Sequence, residues 1–427
     1  MASKSREGDQ VQELVMIDAI QRLGLQYYFQ DDINATLKMS RDIEECGGNL
    51  HDVALRFRLL RQAGYDVQAD TLSKFKNKEG KFKQELEQDT KGLLSLFEAS
   101  QLSIPGDDIL EEAADFTWDL LKTTTLKSVE KSEIAMIRNT LNNPCHKSLP
   151  KLTAKNQLHN FDTLIKFLHY DYCFGMHQWL KDIKDLATID INMAQITFKY
   201  ETTKVSRWWK ELRMAEELEL ARHQPVKWHM WSCVALPSPD KAEIRTELTK
   251  MISFIYLIDD IFDVYGEVEE LTLFTEAVNR WEYANVEELL PTYMKMCLKA
   301  LYDTIDEMSE SIYIKHGWNP KDVLHKAWAE LCNAFLVEAR WFDSKHLPTT
   351  EEYLKNGIVS SGVYVVFASL FCLLDESKDS KCANLGNSHP DIVTFVGTLL
   401  RLWDDLGSAK VCTPRYHLPF DMLLIYI

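Results

Sequence analysis

Apolar residues in this chain recur at three- and four-residue steps along most of its length, and that spacing admits little besides helix. Leu14, Ile17, Ile20 and Leu23 follow one another at steps of three. Val53, Phe57, Leu60 and Ala63 follow at four, three and three. Both patterns put the apolar side chains on one face of a helix. Strict alternation is scarce, and Asn356-Gly357 has no alternating segment on either side, so it does not read as a hairpin turn. Breakers mark the junctions. Ile104-Pro105-Gly106-Asp107 reads as a stop followed by an N-cap at Asp107. Asn142-Asn143-Pro144 opens a polar stretch, and Leu236-Pro237-Ser238-Pro239-Asp240 is a further break with Asp240 as the expected N-cap. No internal repeat is evident, which argues against a solenoid. The expected fold class is all-α in two helical domains. The expected boundary near residue 200 separates residues 1–200 from residues 201–427, and the second part holds the chemistry below.

Composition narrows the functional classes. Of 427 residues, 46% are hydrophobic and 26% charged, enough apolar matter for a real core. Forty-eight basic against 65 acidic side chains leave a net charge of −17, which speaks against nucleic-acid binding. An anionic substrate stays open, because bound divalent cations reverse the local sign of a site. The nine cysteines (Cys46, Cys145, Cys173, Cys233, Cys297, Cys332, Cys372, Cys382 and Cys412) form no C-x-x-C pair and read as free thiols of a reducing compartment. The longest apolar run, Gly362 to Leu374, falls short of the roughly 18 residues of a membrane span. Glu7 and Asp9 do not suit an organelle transit peptide. These features lead to the expectation of a cytoplasmic protein without a membrane partner.

The sharpest local feature is Ile258-Asp259-Asp260-Ile261-Phe262-Asp263, which closes the strongly apolar run Met251 to Ile258. Asp259 and Asp263 stand four apart and share a helical face, with Asp260 at its edge. Like charges gathered on an apolar helix are costly unless a cation sits between them. Carboxylate oxygens suit hard Mg²⁺, which takes one or two of them and completes its shell with water and substrate phosphate. A solvated acidic turn at a helix end has the same pattern, so this motif alone leaves both readings open.

A second cluster, Arg401-Leu402-Trp403-Asp404-Asp405-Leu406-Gly407-Ser408, follows the largely apolar Val393 to Leu400. Asp404 and Ser408 share a face and would make an all-oxygen half-site for Mg²⁺. Arg401, one turn earlier, can grip a phosphate beside the metal. A local Arg401–Asp405 surface pair explains the same residues. Upstream, Arg222 lies 37 residues before Asp259, next to His223, which reads as a neutral neighbour rather than a ligand. Trp228 and Trp231 follow. Aromatics at this spacing belong to a core more often than to a site, yet they can also line a pocket whose π-faces stabilise a cation.

Taken in order, these motifs resemble those of the plant terpene synthases. Asp259-Asp260-Ile261-Phe262-Asp263-Val264-Tyr265-Gly266 is similar to the family's aspartate-rich metal motif. Arg401 to Ser408 is similar to the start of its second motif, (N/D)-D-x-x-(S/T)-x-x-x-E. Arg222 matches the first arginine of an upstream R-x-R. The resemblance extends over almost the whole chain, including Gly92 to Ser103 and Phe335 to Gly362, and within the family it leans toward the nerolidol and linalool synthases. It implies an amino-terminal relic α-barrel and an incomplete carboxyl-terminal class I terpenoid synthase bundle. It also implies Asp259 and Asp263 as ligands for two Mg²⁺ ions and Asp404 and Ser408 for a third, with Mn²⁺ as a substitute. Arg222 and Arg401 would hold the diphosphate, Trp231 would line the pocket, and Ser360-Ser361-Gly362 would form a helix break beneath the reacting carbons. The implied enzyme is a monomer that ionises a prenyl diphosphate without a protein nucleophile. Farnesyl diphosphate is the expected substrate, with geranyl diphosphate second, and the expected product is nerolidol or linalool.

Two departures qualify the match. Gln224 stands where many members have the second arginine, as nerolidol and linalool synthases often do. Cys412 stands where the second motif has its glutamate, and a thiol is a poor ligand for hard Mg²⁺. Pro414 disfavours helix at Thr413. The closing run Phe420 to Ile427 matches nothing in the family, so the alternative expectation is a catalytically impaired synthase cut short from about Val411. Missing amino-terminal features of the cyclising enzymes, an arginine pair and a tryptophan motif, agree with an acyclic product. A chain-elongating prenyltransferase would carry a second D-D-x-x-D, whose last Asp is replaced here by Ser408. A class II cyclase would carry D-x-D-D, which is absent.

Overall fold

A helix satisfies its backbone within its own segment, so a chain patterned at the helical period needs no sheet. The computed structural model describes residues 2–41, 48–127, 131–168, 176–281, 289–374 and 390–409. Among these there is no strand, only the isolated bridge Lys76–Phe82. Cys46, Cys173, Cys382, and the segment from Val411 through Cys412, Pro414 and the closing Phe420 to Ile427 run lie outside the described residues. The described cysteines Cys145, Cys233, Cys297, Cys332 and Cys372 are free thiols.

The molecule divides into two compact units, residues 1–196 and 197–427. The first contains α1 (Ala2–Arg22), α2 (Gln30–Arg41), α3 (Leu50–Gln62), α4 (Thr90–Ser100), α5 (Asp108–Lys127), α6 (Lys131–Asn142), α7 (Pro150–His159), α8 (Phe161–Leu168) and the start of α9 (Met176–Glu211). The three-residue pattern of α1 goes inward: Leu14, Ile17, Ile20 and Leu23 join one apolar cluster with Leu55, Leu59 and Leu93. Phe57 and Leu50 on α3 face a second cluster with Leu72 and Leu96. Arg22 and Arg58 both pair with the buried Asp18. The Asp107 carbonyl accepts from Leu110 at 2.8 Å, as an N-cap residue's should. Its carboxylate turns back instead to the Ile104 N–H at 3.0 Å and to Arg61.

The second unit contains the end of α9, α10 (Met214–Glu217), α11 (Pro225–Ala235), α12 (Ala242–Asp260), α13 (Val268–Arg280), α14 (Thr292–His316), α15 (Lys321–Ser344), α16 (Thr350–Ser360), α17 (Val363–Leu374) and α18 (Asp391–Ala409). Helix α12 is the axis of this unit. Leu248, Met251, Ile252, Phe254, Ile255, Leu257 and Ile258 are buried, most of its circumference, as expected of a helix enclosed by others. It packs against α11, α14 and α17. The expected N-cap at Asp240 is displaced: Pro239–Lys241 form a 3₁₀ turn, Asp240 accepts from the Ser238 hydroxyl, and α12 starts after Lys241. Thr350–Leu374 taken as one stretch is long and apolar enough to cross a membrane. It is instead two helices broken at Ser361-Gly362, half buried within the unit. Gly362 adopts φ +73°, and a Cβ there would meet Ile255 at 2.7 Å, so the break is built around glycine.

One buried charge ties α9, the α11–α12 loop and α12 together. Arg245, fully buried, donates to both oxygens of Glu201 at 3.0 and 2.7 Å and to the carbonyls of Leu236 and Ser238 at 2.7 and 2.5 Å. Removing the guanidinium leaves Glu201 a buried charge without its main partner. Arg245→Ala is expected to destabilise the second unit by about 3–5 kcal/mol, measured as a lowered urea midpoint at unchanged slope.

Candidate active site

The carboxylate motif occupies the end of α12, where the unsatisfied carbonyls of a helix already concentrate partial negative charge. Three further carboxylates there repel one another and the helix end. The geometry of that end is not a plain α-helix. After Asp260 the chain widens into one π-helical turn, Ile261–Tyr265, closed by the Gly266 N–H on the Ile261 carbonyl at 2.9 Å. Such turns are rare and concentrate at functional sites. Asp263 lies inside this turn, so its relation to Asp259 is set by a wider spiral than simple four-residue spacing assumes. Phe262 anchors the turn inward, edge-on to Phe274 at 5.9 Å and tilted against Phe335 at 5.6 Å.

Arg222 supplies the nearest cation. Its Nε donates to Asp260 at 2.8 Å, its backbone N–H to the other Asp260 oxygen at 2.6 Å, and its Nη2 pairs with Asp259. The guanidinium lies 4.6 Å from the centre of the Tyr256 ring, one turn up α12. Trp228 stacks on that ring at 5.3 Å, and Trp231 meets it edge-on at 5.7 Å. Trp228 is buried core, whereas Trp231 is 43% exposed and available to a ligand. Gln224, at the missing second arginine, takes the N-cap position of α11 ahead of Pro225 without a side-chain capping bond. The His223 Nε2–H donates to the Leu218 carbonyl at 2.7 Å, away from any ligand role.

Asp263 has a different situation: among the described residues no hydrogen bond or ion pair compensates it. Burial, then Asp259, then Glu338 push its carboxyl up to about 7. Burial likewise raises Asp259, while Arg222 and Arg401 pull it back. Solvent still reaches both groups, with Asp263 exposed and 30% of the Asp259 side chain exposed, so water tempers the effect of burial on each. A site that forces ionised carboxylates together beside open solvent has the donor chemistry of a hard divalent cation.

The second motif is on α18. Arg401 donates through Nε to Asp405 at 2.9 Å and through Nη2 to Asp404 at 2.9 Å. Its side chain lies across α16, where a Cβ on Gly357 would meet Arg401 Cδ at 2.8 Å. Tyr353, one turn earlier on α16, donates its hydroxyl to Asp405 at 2.7 Å. The pairing of Arg401 with Asp405 expected of a plain surface bridge is present, and it extends to Asp404. Ser408 stands exposed one turn beyond Asp404. The two motifs are close enough to feel each other: Arg401 lowers Asp259, and Asp404 and Asp259 both raise the Tyr256 hydroxyl, which burial carries to about 12. Arg222, Asp259, Asp263, Arg401 and Asp404 thus converge on one region, with Trp231 at its aromatic side.

Two residues the sequence marked only as flanking, Asp260 and Asp405, and one it did not mark, Glu338, also belong to this region. Asp260 and Asp405 are the arginines' inner partners. Glu338 on α15 accepts from the Ser360 hydroxyl at 2.7 Å and the Asn356 amide at 3.0 Å; burial, with Asp259 adding to it, holds its carboxyl above the ordinary range against those two bonds. Its signal was available: it sits three and seven residues after the buried Phe335 and Leu331, an acid on the apolar face of its helix. A separate trio, Glu201, His229 and Cys233, brings potential ligand atoms within 4.8 Å of one another, but Arg245 already engages both Glu201 oxygens.

Asp263 makes the region pH-sensitive. Its folded-state value lies above the usual carboxylate range, so its contribution favours the fold below about pH 4 and is lost as pH rises through about 7. In EDTA, Asp263→Asn is therefore expected to melt above the wild type near pH 8, with the gap closing toward pH 4, as read by circular dichroism.

Comparison with known proteins agrees with this construction. Residues 210–419 match the metal-binding domain of the terpene synthase family, and residues 1–142 its N-terminal domain. An (E)-nerolidol synthase of Cannabis sativa is 46% identical over 423 residues, covering 95% of this chain and 73% of the relative. The chloroplastic S-(+)-linalool synthase of Arabidopsis thaliana is 44% identical over 402 residues, covering 93% and 68%. The crystal structure of isoprene synthase from grey poplar (Populus x canescens), in complex with three Mg²⁺ ions and dimethylallyl-S-thiolodiphosphate, superposes with a TM-score of 0.81 at 33% identity, over 95% of this chain and 78% of that one. With an all-helical fold, a carboxylate-rich helix end and both family domains in place, the chain belongs to the terpene synthase family of lyases.

Proposed function

We propose that this chain is a class I terpene synthase that ionises farnesyl diphosphate, with geranyl diphosphate as a second substrate. The allylic cation is captured by water as an acyclic tertiary alcohol, nerolidol or linalool. The observation that carries this reading is the convergence of two aspartate pairs and two arginines on one region of the second unit, beside an aromatic wall. The nerolidol and linalool synthases among the relatives support the product class.

Asp259, Asp263, Asp404 and Ser408 would hold Mg²⁺, three ions in all with Mn²⁺ as a substitute, which when bound offsets charge developing on the departing diphosphate. Arg222 and Arg401 offer planar donor forks to the same group. Trp231 presents a π-face to the cation. The apolar residues around α12 and the Gly362 break limit the water that reaches it. No protein nucleophile takes part, and a single water supplies the hydroxyl oxygen.

The test is incubation of the full chain with Mg²⁺ and either farnesyl or geranyl diphosphate, followed by gas chromatography–mass spectrometry. Nerolidol or linalool above the enzyme-free control is expected, with Asp259→Ala or Asp404→Ala lowering turnover about 10²–10³-fold. A cyclic hydrocarbon as the main product would overturn the product assignment.

A second reading, an impaired synthase, is favoured by Cys412 at the position of the second motif's glutamate. A carboxylate there restores a hard ligand. Cys412→Glu is expected to lower the Mg²⁺ concentration needed for half-maximal turnover. An unchanged requirement would remove Cys412 as the cause of any weakness.

A further inference from the structure

Each aspartate pair holds one arginine, by Nε on its second carboxylate and with Nη2 reaching its first. In Asp259-Asp260 the second carboxylate takes the Arg222 Nε at 2.8 Å and the first takes Nη2. In Asp404-Asp405 the second carboxylate takes the Arg401 Nε at 2.9 Å and also lies 2.6 Å from Nη2, which reaches across to the first at 2.9 Å. The second members are the sheltered ones, with side chains 9% and 15% exposed. The first members are open, at 30% and 62%. Extra donors fix the sheltered carboxylates in place: the Arg222 backbone N–H on Asp260 at 2.6 Å, and the Tyr353 hydroxyl on Asp405 at 2.7 Å.

We propose that Asp260 and Asp405 are positioning residues that tether the arginines by Nε, while Arg222 and Arg401 cover Asp259 and Asp404 with an exchangeable Nη2 and yield them to metal only when diphosphate offers the guanidinium a new anion. This rests on the site reading above and adds a coupling to it. An Nη2–H on a carboxylate oxygen and a metal ion at that oxygen compete for the same lone pairs. Diphosphate removes the competitor without removing the arginine, because the Nε tether keeps the guanidinium at the site. Metal alone must displace an ion pair, and diphosphate alone must draw the arginine from one. Together each completes the other's exchange, and linkage makes the coupling reciprocal. Mere repulsion between arginine and metal acts with or without diphosphate and yields no such coupling.

The test measures Mn²⁺ binding to the full chain by electron paramagnetic resonance, alone and with saturating inorganic pyrophosphate, corrected for Mn²⁺ held by free pyrophosphate. In the wild type pyrophosphate is expected to tighten Mn²⁺ about tenfold or more. In Arg222→Gln, and independently in Arg401→Gln, Mn²⁺ alone is expected to bind more tightly and the pyrophosphate effect to shrink to about threefold or less. Circular dichroism confirms that each variant is folded, and either one suffices. If the tightening factor is the same in the wild type and a folded variant, the exchange is wrong while the metal site stands. If the wild type binds no Mn²⁺ even with pyrophosphate, the site reading falls and the exchange with it.

Discussion

Negative charge concentrated at the end of a buried apolar helix is the constraint around which the second unit is organised. Helix α12 is enclosed by α11, α14 and α17 along most of its length, and its carboxylate end meets solvent at Asp259 and Asp263. Asp259, Asp260 and Asp263 add to the partial charge of the helix end rather than opposing it. Each neighbouring feature answers that imbalance. Arg222 reaches in from the segment before α11, and Arg401 contributes from α18. What the chain's own cations leave uncompensated, chiefly Asp263, is a request for a further positive charge.

The rest of the unit holds these parts at a fixed distance. Arg245 joins α9 to the loop before α12, and the Gly362 break brings α17 against Ile255 on α12. Gly357 lets Arg401 cross α16 closely enough for Tyr353 to reach Asp405. Arg245, Gly357, Gly362 and Tyr353 take no part in the proposed reaction. They determine where the reactive ones stand, which is the usual division between a scaffold and the site it carries.

Much of this was legible in the sequence. Three-residue steps such as Leu14 to Leu23 place a side chain inside regardless of what it later packs on, so helix and buried face followed directly. Asp259 and Asp404 were visible because acids that close an apolar run contradict their surroundings. Asp260 and Asp405 were not separable from them, since adjacency in sequence does not say which carboxylate is sheltered. That depends on Arg222 and Tyr353, which are 38 and 52 residues away. The π-turn was illegible for a related reason: it reflects how Phe262 is gripped by Phe274 and Phe335, a tertiary demand with no local sequence mark. Asp240 failed as an N-cap because Pro239 permitted a 3₁₀ turn and the Ser238 hydroxyl captured the carboxylate.

Tyr256 has a bearing on how such an enzyme can diversify. One face of its ring belongs to the aromatic wall with Trp228 and Trp231, and the same ring supports Arg222. A substitution there that reshapes the aromatic wall also loosens the arginine beside Asp259 and Asp260. In the proposed reaction, product profile and catalytic rate would therefore be coupled along this wall. A change near Gly362, which packs against Ile255 rather than Tyr256, leaves the arginine's support untouched.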